Sequence, residues 1–543
     1  MSLPRMALLT TVLLAIATGA PAKSKSKAPA PAPSPSPSPA AAAEPSARVS
    51  PTADGTRVDL SIPGTLWGWA APREPGGRRA LYLLVGPPGD ESAGKATCAV
   101  TDCAVSRDKP EGRLFRWRAN APDRLELVRS QLPAGGLDAA ARAGAPGVED
   151  LLLVRDGAVD RLSTDRGAPK PSETIVRDAE LGRAFGDPRL ADGVTGDDAL
   201  RAAVVGALRT WTLAEDGGAR LAGTIDIPVD VDPSVGSFRV MSRAIIPIGR
   251  GGAGRALYAT EPELLGFERV RTVLLDPDGP EDARSLECWG QLPGRERMLE
   301  SGFVALDGTP ALVVLTTAAD KLSLFAGKRL RVFALGTDRT RLGGAPRYAD
   351  ETGINLWQDA TPFAIDLDAD GRDDLVLGYW KGLTHDIAAL ETRRGLPDGS
   401  FGKAHTFEVE VEDGDRGFLD FGHDLDGDGH PDLVLLGGGA LRIYPGRPPA
   451  EAATKPVASK PSRVIPLSAE MPGAAGAWLA FRASDSSLAF GRGGHGPGDP
   501  RFVDFDGDGR PEILFIGGGT GGVRASVVLV RGAATPPPRA AGS

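Results

Sequence analysis

Asp424-Leu425-Asp426-Gly427-Asp428-Gly429-His430-Pro431-Asp432 runs directly into Leu433-Val434-Leu435-Leu436. Carboxylates stand at positions 1, 3, 5 and 9, with Gly at position 6. The same phrase occurs as Asp366-Leu367-Asp368-Ala369-Asp370-Gly371-Arg372-Asp373-Asp374 before Leu375-Val376-Leu377, and as Asp504-Phe505-Asp506-Gly507-Asp508-Gly509-Arg510-Pro511-Glu512 before Ile513-Leu514-Phe515. This spacing wraps oxygen donors around a hard cation, and glycine permits the sharp bend. An EF-hand would need an acid at position 12 and an exiting helix. Position 12 is Leu377, Leu435 or Phe515, inside an apolar run of strand character. The loop therefore enters a strand.

The repeat sets the architecture. After two of the strands come three glycines, Gly437 to Gly439 and Gly517 to Gly519, and then a second strand, Leu441 to Tyr444 or Ser526 to Val530. The third carboxylates of the triads, Asp370, Asp428 and Asp508, are 58 and 80 residues apart. A unit of about 60 residues suits a four-stranded propeller blade. One unit upstream, Phe303 to Leu315 is a worn copy whose Asp307 aligns with Asp508, but it keeps too few carboxylates for an ion. Apolar anchors near residues 81, 151, 204, 257, 312, 375, 433 and 513 extend the series. The expected fold is all-β, a β-propeller of seven or eight four-stranded blades with calcium loops in the C-terminal blades. The alternative is an unrelated β domain to about residue 300 followed by a partial propeller.

With the preceding aromatics Phe363, Phe421 and Phe502, the loops resemble the FG-GAP/VCBS repeats of integrin α-chain propellers and secreted bacterial proteins. The resemblance covers residues 363–532 and implies a calcium ion in each acidic loop. The implied side-chain ligands are Asp366, Asp368, Asp370 and Asp374, then Asp424, Asp426, Asp428 and Asp432, then Asp504, Asp506, Asp508 and Glu512. Arg372, His430 and Arg510 would supply backbone carbonyls. Glu512 departs from the usual Asp by one methylene.

Composition sets the outer limits. Net charge is −9, twelve carboxylates stand at positions 1, 3, 5 and 9 of the three loops, and no basic surface for nucleic acid is evident. Arg5, the apolar run Met6 to Ala17 and Ala20-Pro21-Ala22 have the form of an export signal, residues 1–22. The run is too short to span a membrane. Residues 23–48 are rich in Lys, Ala, Pro and Ser and read as a linker; 49–532 hold the repeats, 447–463 a surface insertion, and 533–543 a disordered tail. Export favours oxidation, so Cys98 and Cys103 are a candidate disulfide across a tight turn, and Cys288 a buried thiol.

Catalytic signatures are missing. The sequence holds no His-Glu-x-x-His, Gly-x-Ser-x-Gly or P-loop, and only five histidines. Tyr379-Trp380-Lys381 is an aromatic step that either packs between blades or stacks on a sugar. The expected function is an exported calcium-binding propeller, extracellular or periplasmic and of bacterial character, that binds an extracellular or envelope protein or glycan. The alternative is a secreted carbohydrate-active enzyme, lyase-like, on the same scaffold.

Overall fold

The computed structural model describes residues 44–51, 55–87, 111–142, 147–155, 157–162, 173–179, 199–204, 207–213, 218–226, 242–248, 254–262, 269–275, 285–291, 296–307, 309–318, 327–334, 346–356, 358, 360–381, 387–411, 415–437, 440–452, 454–467, 501–519 and 522–530. The export signal, most of the linker, the tail, the Cys98–Cys103 turn, His385 and His495 lie outside these residues. So do the side-chain surroundings of Cys288.

The described residues form eight antiparallel sheets. Sheet 2 comprises Thr65–Ala70, Ala80–Gly86, Gly112–Arg118 and Leu125–Leu132. Sheets 3 and 4 occupy residues 136–177 and 199–226, and sheets 5 and 6 residues 242–291 and 296–355. Sheet 7 comprises Ala360–Ile365, Asp374–Lys381, Ile387–Arg393 and His405–Val409. Sheet 8 comprises Asp415–His423, Asp432–Gly437, Ala440–Tyr444 and Arg463–Pro466. Six sheets have four strands, sheet 4 has three, and sheet 1 has five. Sheet 1 joins Ser46–Pro51 and Gly55–Ile62 to Gly522–Val530, Glu512–Gly519 and Arg501–Val503. Its first strand starts three residues inside the segment 23–48 expected as linker.

With the strands of sheet 1 counted from Arg501–Val503, every anchor expected from sequence lies in a different sheet, and seven lie in the second strand. The exception is residue 204, which ends the first strand of sheet 4.

The second strands are apolar on consecutive residues because both their faces are covered. In sheet 7, Leu375 and Leu377 pack toward sheet 6, whereas Val376 packs toward sheet 8. In sheet 8, Leu433 and Leu435 face sheet 7, and Val434 and Leu436 face sheet 1. Leu514 and Ile516 of sheet 1 pack on Leu81, Leu83 and Val85 of sheet 2. Tyr82 and Leu84 then pack on Leu151 and Leu153 of sheet 3, whose Leu152 and Val154 meet Trp211 of sheet 4. The first strands of sheets 5 and 6 also pack together. Sheets 5 to 8 therefore stack in chain order, and sheet 1 links the last repeat to the earliest, continuing the stack through sheets 2, 3 and 4. At the sheet 7–8 contact, a Cβ on Gly378 would meet the Phe418 ring at 2.9 Å, so this strand needs glycine there.

The segment 447–463, expected as a surface insertion, joins the third and fourth strands of sheet 8. It carries a short helix, α1 (Pro449–Ala452), and an isolated bridge between Gly446 and Val457. Ala452 and Val457 are buried in the core between sheets 7 and 8. The apolar residues in this Pro-rich stretch anchor it as part of the sheet's packing.

Candidate metal centre

All three acidic loops occupy one topological place, the hairpin between first and second strands, in sheets 7, 8 and 1. The worn copy occupies the same hairpin of sheet 6, where Leu306 pairs with Thr309 around Asp307. Each loop is shaped by its own carboxylates. Asp424 accepts from the backbone N–H of Gly427 (2.6 Å) and Gly429 (2.8 Å), and Asp504 from those of Gly507 (2.6 Å) and Gly509 (3.1 Å). Asp366 accepts from Asp370 N–H (3.1 Å) and Gly371 N–H (2.9 Å). Asp428 and Asp508 accept from the N–H of His430 and Arg510, each at 2.8 Å. Two positions per loop, the fourth and sixth, adopt positive φ; the fourth is Gly427 (83°), Gly507 (80°) and, in the first loop, Ala369 (56°). Alanine pays a steric cost there that glycine does not.

The position-9 acids lie deepest. Asp432 takes N–H bonds from Leu425 (2.8 Å), Asp426 (3.2 Å) and Gly446 (3.1 Å). Asp374 takes them from Leu367 (3.2 Å) and Gly395 (2.8 Å), and Glu512 from Phe505 (2.6 Å). The longer Glu512 still reaches the equivalent amide. Burial, aided by the neighbouring aspartates, pushes Asp374 up to about 6 and both Asp432 and Glu512 up to about 7. Asp426 is raised for the same reasons.

Carboxylate oxygens of Asp424, Asp426 and Asp432 lie within 4.8 Å of one another, as do those of Asp504, Asp506 and Glu512. Positions 1, 3 and 9 thus converge in the second and third loops. Three carboxylates drawn together, with burial disfavouring their charge, form a donor set that fits a hard cation. In the first loop the converging set is Asp366, Asp368 and Asp370, and Asp374 is not in it. Two guanidiniums contact this set. Arg394, at the end of the third strand, puts Nε 2.6 Å from Asp368 Oδ2 and Nη2 2.9 Å from Asp370 Oδ2. Arg372 also pairs with Asp370. Burial alone would raise Asp370, but Arg394 and the Arg372 N–H hold it below the usual carboxylate range.

Asp428 and Asp508 stay outside the convergent sets, and Arg510 pairs with Asp508 through Nη2 at 2.6 Å. The side chains of Arg372 and Arg510, expected to contribute only backbone carbonyls, therefore neutralise position-5 acids.

Sequence reading missed Arg394, which lies 24 residues beyond its partner Asp370. It also missed a reciprocal clasp: Asp307 N–H donates to Asp373 Oδ2 (2.6 Å), and Asp373 N–H donates to Asp307 Oδ1 (2.8 Å). That clasp ties the hairpin of sheet 6 to the first acidic loop without an ion. His423 bonds Asp420 through Nδ1 (2.7 Å) and stacks on Phe502 (4.8 Å), so it bridges sheets 8 and 1 by packing. Trp380 is only 7% exposed and lies 5.4 Å from the Phe418 ring, which makes it core and not a sugar platform.

No protein-family model matches this chain, and no curated protein does. Among solved structures, a Lactobacillus plantarum protein is similar at 16% identity, with a TM-score of 0.30 over 71% of this chain and 96% of that one. The BBS1N chain of a complex with ARL6DN is similar at 11% identity, with a TM-score of 0.33 over 87% and 95%. A Mycobacterium tuberculosis puromycin-hydrolyzing peptidase is similar at 14% identity, with a TM-score of 0.33 over 83% of this chain and 57% of that one.

Proposed function

We propose that this chain is an exported, eight-bladed β-propeller whose C-terminal blades are clamped by calcium, and that it serves as a binding module for an extracellular or envelope protein or glycan. The observation that carries the reading is the recurrence of one carboxylate loop at the same hairpin of three consecutive sheets. Eight antiparallel sheets, stacked from sheet 5 through sheet 8 and sheet 1 to sheet 4 with the N-terminal strands completing the last sheet, support the propeller. This arrangement also disfavours the split into an unrelated domain and a partial propeller.

Calcium accepts six to eight oxygens in flexible geometry, which suits these loops better than the small octahedron of magnesium. Asp424, Asp426 and Asp432 would hold one ion, and Asp504, Asp506 and Glu512 another. Asp366, Asp368 and Asp370 would hold a third after Arg394 swings away. Such an ion supplies positive charge that relieves carboxylate repulsion and fixes the hairpin. The chain itself contributes the N–H bonds that pre-set the loop.

The enzymatic alternative needs a base or nucleophile in a cleft. Tyr82 lies beside the arginine-lined cavity described below. It is pushed up to about 12, first by burial, and its hydroxyl is spent on Glu74 (2.8 Å). That is a poor proton acceptor at neutral pH. Among the described residues, no helix is long and apolar enough to cross a membrane. The deciding experiment screens the purified protein against glycan and envelope-protein panels for binding and turnover. Binding without turnover is expected; turnover of any polymer defeats the reading.

A further inference from the structure

The chain carries a net charge of −9, yet one cavity reverses that sign. It has a volume of about 540 Å³ and lies over sheet 2, where Phe505 of the third acidic loop also reaches its wall. Five arginines line it, Arg78, Arg79, Arg116, Arg118 and Arg124, against two acids, Glu74 and Glu126.

The topology gathers them. Tyr82, Arg116 and Glu126 are direct cross-strand partners, and Arg118 pairs with Ala80 one step along the same face. The hairpin closed by the Arg73–Arg79 bridge supplies Glu74, Arg78 and Arg79. The turn after Arg118 supplies Asn120 and Arg124.

Three of the five cations are already committed. Arg118 grips Glu74 (2.7 and 2.9 Å), Arg116 grips Glu126 (2.7 Å), and Arg79 grips Glu149 (2.9 and 3.2 Å). Arg116 is 3% exposed, and its buried Nε finds no acceptor. Arg78 and Arg124 are exposed and have no acidic partner among the described residues. The paired arginines form a fixed, charge-neutralised wall, and Arg78 and Arg124 leave two guanidinium forks for an incoming anion.

The cavity's volume falls in the range of roughly 300–1,000 Å³ that holds an organic ligand, and it exceeds what a lone small anion fills. Its polar groups are of both kinds. Guanidiniums donate to an acid group, while the carboxylates of Glu74 and Glu126 can only accept, which suits the hydroxyls of a ligand. A ligand matched to both carries negative charge and several hydroxyls.

We propose that this cavity binds an acidic oligosaccharide, its carboxylate or sulfate held by Arg78 and Arg124 and its hydroxyls by Glu74, Glu126 and Asn120. The proposal rests on the binding-module reading above, and it does not depend on the metal loops.

The test is calorimetric titration of the full-length protein with a uronic-acid trisaccharide, a sulfated trisaccharide, a neutral trisaccharide and inorganic phosphate. The same set is run on an Arg78→Ser/Arg124→Ser variant. Both arginines are exposed, so the variant should melt like the parent. At least one acidic sugar is expected to bind and to weaken about tenfold or more in the variant, the order expected for two lost charge contacts. Which arm binds identifies the acid. Binding of phosphate as tight as that of the sugars overturns the sugar assignment. Acidic sugar binding that is unchanged in the variant overturns the site yet leaves the binding-module reading standing. Failure of both acidic sugars, with another glycan or protein captured on the panels, overturns only this proposal. Silence on every panel overturns both.

Discussion

Removing the guanidinium of Arg394 should strengthen calcium binding by the first acidic loop. Its two contacts, 2.6 Å to Asp368 and 2.9 Å to Asp370, must break before those oxygens can face a cation. The side chain is 51% exposed, so solvent screens both. Exposed pairs of this kind contribute about 0.2–1 kcal/mol each, or about 0.5–2 kcal/mol together. That corresponds to a Kd lower by roughly 2- to 30-fold in Arg394→Ala. The measurement is calcium titration calorimetry on chelator-stripped protein, with Asp426→Asn and Asp506→Asn disabling the other two loops. Arg394→Lys, which keeps a charge but loses the fork, should fall between parent and alanine variant. An affinity in Arg394→Ala equal to or below the parent's would refute the reasoning, because the guanidinium would then be a support for the site and not its competitor.

Chelation should lower the melting temperature and added calcium should restore it; at free calcium of ten times Kd each loop contributes about 1.4 kcal/mol, and an unchanged melt with no bound calcium would sink the metal reading. The position-9 acids give this effect a pH dependence. Without metal, the folded chain keeps protons on Asp432 and Glu512 up to about pH 7 and on Asp374 up to about pH 6. The unfolded chain releases them near pH 4, so the metal-free fold loses stability between about pH 4 and 7. Calcium must displace those protons, so its stabilising effect should be larger at pH 8 than at pH 5.5, and equal shifts at both would contradict the burial argument. Ala369→Gly should raise stability by up to about 1 kcal/mol, since relief of the left-handed conformation outweighs the added freedom of the unfolded chain; a lower melt would show that the φ of 56° carries no strain. Leu377→Ala, which opens the fully buried contact between sheets 6 and 7, should cost about 2–5 kcal/mol in denaturant titration, and a loss under 1 kcal/mol would contradict that packing.

Legibility in the sequence followed physical locality. The loop and its strand exit were readable because each depends on residues within about a dozen positions, and the unit length because that local phrase recurs. The apolar runs showed that the second strands are covered on both sides, and the eight anchors located eight sheets. The positive φ at position 4 was also visible, as Gly427 and Gly507, but position 6 drew the attention. What sequence could not show was pairing across distance. Arg394 reaches Asp368 only because the third strand of sheet 7 ends beside the loop, and Asp307 meets Asp373 only because adjacent hairpins abut. The arginine cavity needed register, since Tyr82, Arg116 and Glu126 form one row only when three strands align. The Pro-rich segment 447–463 looked like surface by composition, yet Ala452 and Val457 are buried in the core.

The pairing of Gly55–Ile62 with Gly522–Val530 has a consequence for synthesis. Asp59 and Ser526, joined by a 2.6 Å bond, are 467 residues apart. During translation the hydrogen-bonding edge of Gly55–Ile62 must wait until Gly522–Val530 has been made. Such distant closure is slow and leaves a strand edge open to wrong partners. The polypeptide therefore has a long interval in which it is still unlocked. That delay is a hazard for aggregation, and under the proposed export it is also the window in which the chain would be threaded before these strands meet.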